Sequence, residues 1–249
     1  MRYLIVDLDD TLLKGDKTVN EYTLKGIEKL KELGFIFVFN TARNFEMTEE
    51  CIDYLKPDYA IMNAGALICD KNKNIIYTKT IKKYDVNYII DELKKDNEIF
   101  KFSIQTPTKL VSKDIDSDNI RLHFTYFDFE SEFKDEAVKI MISGPNIDKW
   151  EKIAKDFGYE FERYFNGTWF RISASDKYQG NLALFKLLND DNPEDYVFGD
   201  DHGDVDMVNN AYYGALLKNS LITDKCKNIT DYDSNNDGVI RHMEKILNL

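Results

Sequence analysis

Four aspartates, one lysine and one threonine carry the chemistry in this 249-residue sequence. Asp7, Asp9 and Asp10 stand almost side by side in Asp7-Leu8-Asp9-Asp10-Thr11-Leu12, directly after the apolar run Tyr3-Leu4-Ile5-Val6. Carboxylates packed this closely repel one another, so a cation is expected among them. A hard ion such as Mg²⁺ fits, because it takes oxygen ligands and keeps some of its waters. Further along come the hydroxyl of Thr41, the ammonium of Lys177, and Asp200 and Asp204 in Gly199-Asp200-Asp201-His202-Gly203-Asp204. Carboxylates with one lysine and one hydroxyl form a phosphoryl-transfer set. A cation and a lysine neutralise phosphate oxygens while one carboxylate attacks phosphorus.

These residues need a scaffold that gathers them. Tyr3–Val6 is apolar without alternation, as in a strand buried on both faces of a parallel sheet. Asn20 caps a helix with Leu24, Ile27, Leu30 and Leu33 on one face, and Gly34 ends it. Phe35 to Phe39 is a second apolar strand, ending at Asn40-Thr41-Ala42-Arg43. A helix over about 45–55 follows, then a third strand, Tyr59–Met62, ending in Asn63-Ala64-Gly65. Three strand–turn–helix units predict an α/β fold with a doubly wound parallel sheet, whose ligands gather at the carboxyl ends of the strands. From about residue 71 to 171 the rhythm gives way to mixed helical and alternating, aromatic-rich stretches, predicting an inserted α+β module. It includes helices near 86–95 and 147–157 and strands near 137–142 and 170–172. After Lys177 the rhythm returns with a helix over 180–188, strands Tyr196–Phe198 and Ala215–Leu217, and a last helix over 238–247. Residues 1–78 and 173–249 are expected to form the core and 79–172 the insertion.

The ordered set resembles the haloacid dehalogenase superfamily, and within it the Cof-like phosphatases with a type II (IIB) cap. Asp7-Leu8-Asp9-Asp10-Thr11 matches D-x-D-x-T, Thr41 the lone Ser/Thr after the second strand, Lys177 the third-motif lysine, and Gly199-Asp200 with Gly203-Asp204 the acidic fourth motif. Asp233-Ser234-Asn235-Asn236-Asp237-Gly238-Val239 resembles the closing segment of Cof-like members. The resemblance implies a Rossmann-like core with the insertion as cap. It implies Asp7 as nucleophile, Asp9 as general acid and base, and Thr41 and Lys177 on the transferring group. It also implies Mg²⁺ on Asp7, Asp9 (through its backbone carbonyl) and Asp200, with Asp204 as ligand or support. Three positions depart from the family pattern. Gly203 stands where Asn is frequent, Asp10 where Gly is common, and Tyr178 follows Lys177 in place of Gly.

Arg43 and Asn63, at strand ends, are candidate substrate-binding residues beside Thr41 and Lys177, or else order their loops. His202 reads as a loop residue, since a carboxylate Mg²⁺ site needs no imidazole. His123 reads as packing or surface. Asp233, Asn235, Asp237, Gly238, Ile240 and Glu244 match EF-hand spacing. However, no helix is expected before them and no second copy exists, so a turn and helix cap is the expected role.

A net charge of −12 argues against nucleic acid as a general partner and leaves a small phosphorylated metabolite as the expected one. Cys51, Cys69 and Cys226 lack paired or metal-type spacing and read as free thiols. No apolar run approaches membrane-span length. The expectation is a soluble cytoplasmic phosphatase, monomeric or weakly dimeric, acting on a sugar phosphate or similar ester. The alternatives are a phosphomutase, a non-catalytic phospholigand sensor and, weakest, an acidic calcium module.

Overall fold

A strand that is apolar at every position needs cover on both sides, and β1 (Arg2–Val6) has it. Leu4 and Val6 enter one apolar cluster while Tyr3 and Ile5 enter another on the opposite face. Burying each such side chain contributes about 1.5–3 kcal/mol, so the alternation fixes the strand in the middle of the sheet. The structure, a computed structural model, describes residues 1–114, 124–145, 147–164 and 168–249. His123 lies outside the described residues.

The first part of the chain runs through β1, α1 (Glu21–Glu32), β2 (Phe35–Asn40), α2 (Phe45–Leu55), β3 (Tyr59–Met62), β4 (Leu67–Asp70) and β5 (Ile75–Thr78). Next come α3 (Lys83–Lys95), β6 (Lys101–Gln105), β7 (Leu110–Ser112), β8 (Phe124–Tyr126), β9 (Lys139–Ser143), α4 (Ile147–Phe157), β10 (Glu160–Arg163) and β11 (Trp169–Ser173). The last part carries α5 (Lys177–Leu187), β12 (Glu194–Gly199), α6 (Val205–Asn209), β13 (Tyr213–Leu216) and α7 (Gly238–Leu247).

One sheet of seven strands has the order β13-β12-β1-β2-β3-β4-β5. Its first five strands pair in parallel, and α1, α2 and α7 pack on one face with α5 and α6 on the other. The sequence predicts this parallel part. It does not predict β4 and β5, which extend the sheet as an antiparallel hairpin where an irregular stretch was expected from residue 71. Both strands are four residues long, and the second is largely exposed, so its short apolar run, Ile75-Ile76-Tyr77, is not that of a strand buried on both faces.

A second sheet has the order β10-β11-β9-β6-β7-β8. Ile104, Ile140, Ile142, Phe170 and Ile172 pack one face against Val86, Ile89 and Ile90 of α3 and Trp150 and Ala154 of α4. The other face is polar. Cross-strand pairing sets Gln105, Lys139 and Ser173 in one row and Met141 beside Arg171 and Glu162 in the next. No helix among the described residues is long and apolar enough to cross a membrane.

The EF-hand spacing near the C-terminus folds as a staple. The Asp237 carboxylate accepts from Asn20 (3.0 Å) and Thr23 (2.8 Å) of the α1 entry, and Glu244 accepts from the Tyr22 hydroxyl. Asp233 caps the turn at Asn236, and Asn235 accepts from the Gly15 amide. These oxygens tie α7 to α1 and to the loop after β1.

Candidate active site

Parallel pairing places the carboxyl ends of β12, β1, β2 and β3 at one sheet edge, where the loops holding Asp200, Asp7, Thr41 and Asn63 begin. The decisive partner arrives from outside the sheet. Lys177, the first residue of α5, sets its ammonium 2.8 Å from Asp7 Oδ1 and 2.5 Å from Asp204 Oδ1. All three are buried. The α5 start is fixed by the Asp176 carboxylate, which accepts from the Gln179 amide as an N-cap. It is fixed again by Asn40, whose side-chain amide donates to the Lys177 carbonyl (2.7 Å) and to Asn181 (2.8 Å).

Close backbone contact completes the placement. A Cβ on Gly65 would sit 1.9 Å from the Asp176 carbonyl oxygen, and one on Gly180 would sit 2.5 Å from the Gly65 Cα. Glycine at both positions lets α5 seat against the turn after β3. Gly199 serves the fourth motif similarly, since a Cβ there would collide with the Asp204 side chain at 2.3 Å. Asp204 is thereby tucked under its own loop, with Oδ2 accepting from the amides of Asp200 (2.9 Å) and Asp201 (3.1 Å).

Asp7, Asp200 and Asp204 each offer a carboxylate oxygen within 4.8 Å of the others, the one such group of potential metal ligands among the described residues. Burial raises Asp7 well above the usual carboxylate range, with Asp204 and Asp201 adding to it against the pull of Lys177. Burial and neighbouring carboxylates raise Asp200 to about 7 and Asp204 to about 6. Burial works against the charge of Lys177, but Asp204 and Asp7 outweigh it and hold the ammonium well above its ordinary value. The donor set is all oxygen, more acidic than one lysine balances, and it fits a hard divalent cation. Of the three, Asp204 already spends both oxygens on Lys177 and backbone amides. Asp200 spends only Oδ1, on the Thr11 hydroxyl (2.7 Å).

Asp9 and Arg43 occupy a second station. The guanidinium grips the Asp9 carboxylate with two hydrogen bonds, Nε to Oδ2 at 2.7 Å and Nη2 to Oδ1 at 2.5 Å, and Lys17 adds a contact at 3.0 Å. Partial burial raises the Asp9 carboxyl, but Arg43 and Lys17 overcome this and hold it below the usual range. In this conformation the Asp9 side chain is turned to Arg43 and is absent from the carboxylate group around Asp7. Thr41, Arg43 and Asn63 form one knot. Thr41 Oγ1 accepts from the Arg43 amide (3.2 Å), and the Asn63 amide donates to the Arg43 carbonyl (2.8 Å). The Asn63 side chain is fully buried, and neither of its polar atoms has a partner among the described residues.

One family departure, Asp10, finds a local reason. Asp10 has φ +57°, a left-handed conformation that glycine takes freely and that aspartate tolerates better than most residues. At Gly203 an added Cβ would meet only the ends of the Asp201 (3.3 Å) and Glu162 (3.4 Å) side chains, so nothing local requires glycine there. His202 forms part of the short turn after β12 and joins no potential metal-ligand group among the described residues. Several supports escape a sequence reading, namely Lys17, Asn40 and Asn181, together with Asn219 and Ser220. These last two donate to the carbonyls of Asp10 (2.8 Å) and Asp200 (2.6 Å) and bind the first motif loop to the fourth. Each is a lone polar residue in a loop, at a strand end or, for Asn181, inside α5, with no spacing signal.

Comparison with known proteins agrees with this arrangement. Residues 4–243 match the haloacid dehalogenase-like hydrolase family model. The chain belongs to the haloacid dehalogenase-like hydrolases. It is 26% identical to a Buchnera aphidicola (subspecies Baizongia pistaciae) protein named "Putative phosphatase", over 99% of this chain and 98% of that one. An X-ray structure from Thermotoga maritima superposes with a TM-score of 0.81 at 21% identity, covering 98% of this chain and 97% of that chain. A sugar phosphatase of haloacid dehalogenase subclass IIB gives a TM-score of 0.81 at 16% identity, covering 100% of both chains.

Proposed function

We propose that the chain is a Mg²⁺-dependent phosphatase that hydrolyses a small phosphorylated metabolite through an aspartyl-phosphate on Asp7. The observation that carries this reading is the buried Asp7–Lys177–Asp204 array with Asp200 beside it. Asp7 and Asp200, with the Asp9 carbonyl, would hold the cation, and Asp204 would brace Lys177 and the loop. When bound, the ion supplies positive charge to the phosphate oxygens and to the ionised Asp7.

The residues then act in two steps. Lys177 holds Asp7 Oδ1, which leaves Oδ2 to attack phosphorus while Thr41 and the buried amide of Asn63 donate to phosphate oxygens. The bond from phosphorus to the leaving oxygen breaks, and Asp9 gives that oxygen its proton. In the second step Asp9 takes a proton from water, whose oxygen attacks phosphorus and releases Asp7 with inorganic phosphate. Asp9 has to leave Arg43 before it can do this, and an arriving phosphate dianion competes for the same guanidinium. Residues 79–172 are read as a cap whose polar sheet face closes the site. The sugar phosphatase among the structural neighbours supports a sugar phosphate as the default substrate.

Hydrolysis of p-nitrophenyl phosphate, abolished by EDTA and restored by Mg²⁺, tests the reading. Turnover indifferent to EDTA would count against it. A melting experiment gives an independent check. Carboxyls raised in the folded state bind more protons than the unfolded chain does. Without metal, their contribution to stability therefore falls as pH rises from about 4 through the folded values of about 6 and 7. Mg²⁺ is accordingly expected to raise the melting temperature several degrees more at pH 8 than at pH 5. Equal shifts at both pH values would place the ion elsewhere. For Arg43→Met, loss of the guanidinium lets the Asp9 carboxyl rise toward its ordinary range. Asp9 must be protonated to give the leaving oxygen its proton, so the alkaline limb of the pH profile of kcat/KM is expected to move to higher pH, and an unmoved limb would separate Arg43 from Asp9 in function.

A further inference from the structure

The polar face of the second sheet is buried, and its hydrogen bonding is incomplete. Arg171 of β11 is 3% exposed, yet its Nε and Nη1 have no hydrogen-bond partner among the described residues. Its Nη2 donates to Glu162, and the Tyr164 ring lies 6.0 Å from its Cζ. The ammonium of Lys139 of β9, also 3% exposed, makes one hydrogen bond among the described residues, to the Ala42 carbonyl (2.8 Å), and no ion pair with them. Ala42 stands between Thr41 and Arg43, so this strand end touches the loop proposed to hold the transferring phosphate. Gln105, paired with Lys139 across the sheet, buries an Oε1 that has no partner among the described residues.

The face opens onto the core loops. A cleft of about 160 Å³ is walled by Arg171, Glu160, Glu162, Asp176, His202 and Gly203. A second cleft of about 520 Å³ shares Glu162 and His202 with it and runs past Tyr164 to Asp10 and Asp200. Glu162 offsets one nitrogen of Arg171, and Asp201 acts on it at longer range. Two buried cations thus meet one directly bonded carboxylate. Burying a cation without a partner is costly, and sequence drift toward apolar side chains would relieve that cost. Burial, with Arg171 adding to it, pushes the Lys139 ammonium down to about 7, where an arriving anion would restore its charge.

We propose that Lys139 and Arg171 read the leaving group, and that the substrate carries a second anionic group, a carboxylate or a further phosphate, besides the ester being cleaved. Unbonded guanidinium nitrogens match such groups, and a hydrogen bond to a charged partner is stronger than one to a hydroxyl. Glu160 and Glu162 on the neighbouring strand leave room to bind hydroxyls of the same molecule. The inference rests on the phosphatase reading above and names the substrate class for that site.

The test is calorimetric binding to the Asp7→Asn chain with Mg²⁺, so that no turnover interferes. The probes are glycerol 3-phosphate against 3-phosphoglycerate, and glucose 6-phosphate against 6-phosphogluconate and glucose 1,6-bisphosphate. At one carbon length or the other, the doubly anionic probe is expected to bind at least about tenfold tighter than its neutral-ended partner. The acid and the bisphosphate arms tell carboxylate from phosphate. Arg171→Met in the same background is expected to erase the preference, and Arg171→Lys to restore part of it. If Arg171→Met does not give a cooperative melt, Lys139→Gln carries the comparison. Equal affinities at both lengths, binding of none of the probes, or a preference that survives both substitutions would overturn the inference. Hydrolysis of p-nitrophenyl phosphate by the unaltered chain, measured separately, reports on the phosphatase reading alone.

Discussion

Asp7→Asn is expected to lower kcat for p-nitrophenyl phosphate by at least about 10⁴-fold while leaving a folded protein, because losing a covalent nucleophile removes the pathway and not merely a contact. Asn keeps the shape of Asp7, and its amide oxygen still accepts from Lys177 across a 2.8 Å contact. The substitution also removes one charge from a buried group whose ionised form is disfavoured by burial. The melting temperature without metal is therefore expected to hold or rise. That separates the result from a folding defect. A variant with near-normal turnover would remove Asp7 from the chemistry.

Lys177→Met is expected to be harmful in both respects. The ammonium is the one cation bonded to Asp7 and Asp204 among the described residues, and both carboxylates are buried. Taking one partner from a buried ion pair costs about 3–5 kcal/mol, because the other charge remains without compensation. Loss of a cation aimed at transferring phosphate costs a further factor of about 10²–10³ in kcat. The stability loss is expected to be smaller at pH 5 than at pH 8, since Asp204, already raised to about 6 by burial, takes up a proton more readily at the lower pH. Urea unfolding at the two pH values checks this. Equal losses would mean that the array is not held by charge.

What was legible in the sequence follows from locality. Tyr3–Val6 and Phe35–Phe39 are apolar at each position because both faces of their sheet are covered, and that pattern survives in one dimension. Gly199, Gly65 and Gly180 are different, because their necessity lies in contacts with Asp204, Asp176 and Gly65 respectively that no spacing expresses. Lys177 is legible only through its position after the insertion, since a lone lysine ordinarily reads as a surface residue. Arg43 was legible as a strand-end residue, but its grip on Asp9 depends on β1 and β2 lying side by side. The strand at Phe170-Arg171-Ile172 was visible in outline. That its arginine faces a buried polar surface depends on β9 and β10 flanking it, a pairing across distant segments. Lys139, a charge inside the apolar stretch 137–142, is the one local sign of that polar surface.

The central claim is that the phosphoryl group passes through Asp7. Rapid acid quench of the Mg²⁺-loaded chain during turnover of p-nitrophenyl phosphate, followed by peptide mass mapping, addresses it directly. The expected result is one phosphoryl group on the peptide containing Asp7, released by hydroxylamine and missing from Asp7→Asn. Steady turnover with that peptide unmodified, or with the phosphoryl group on another residue, would contradict the mechanism.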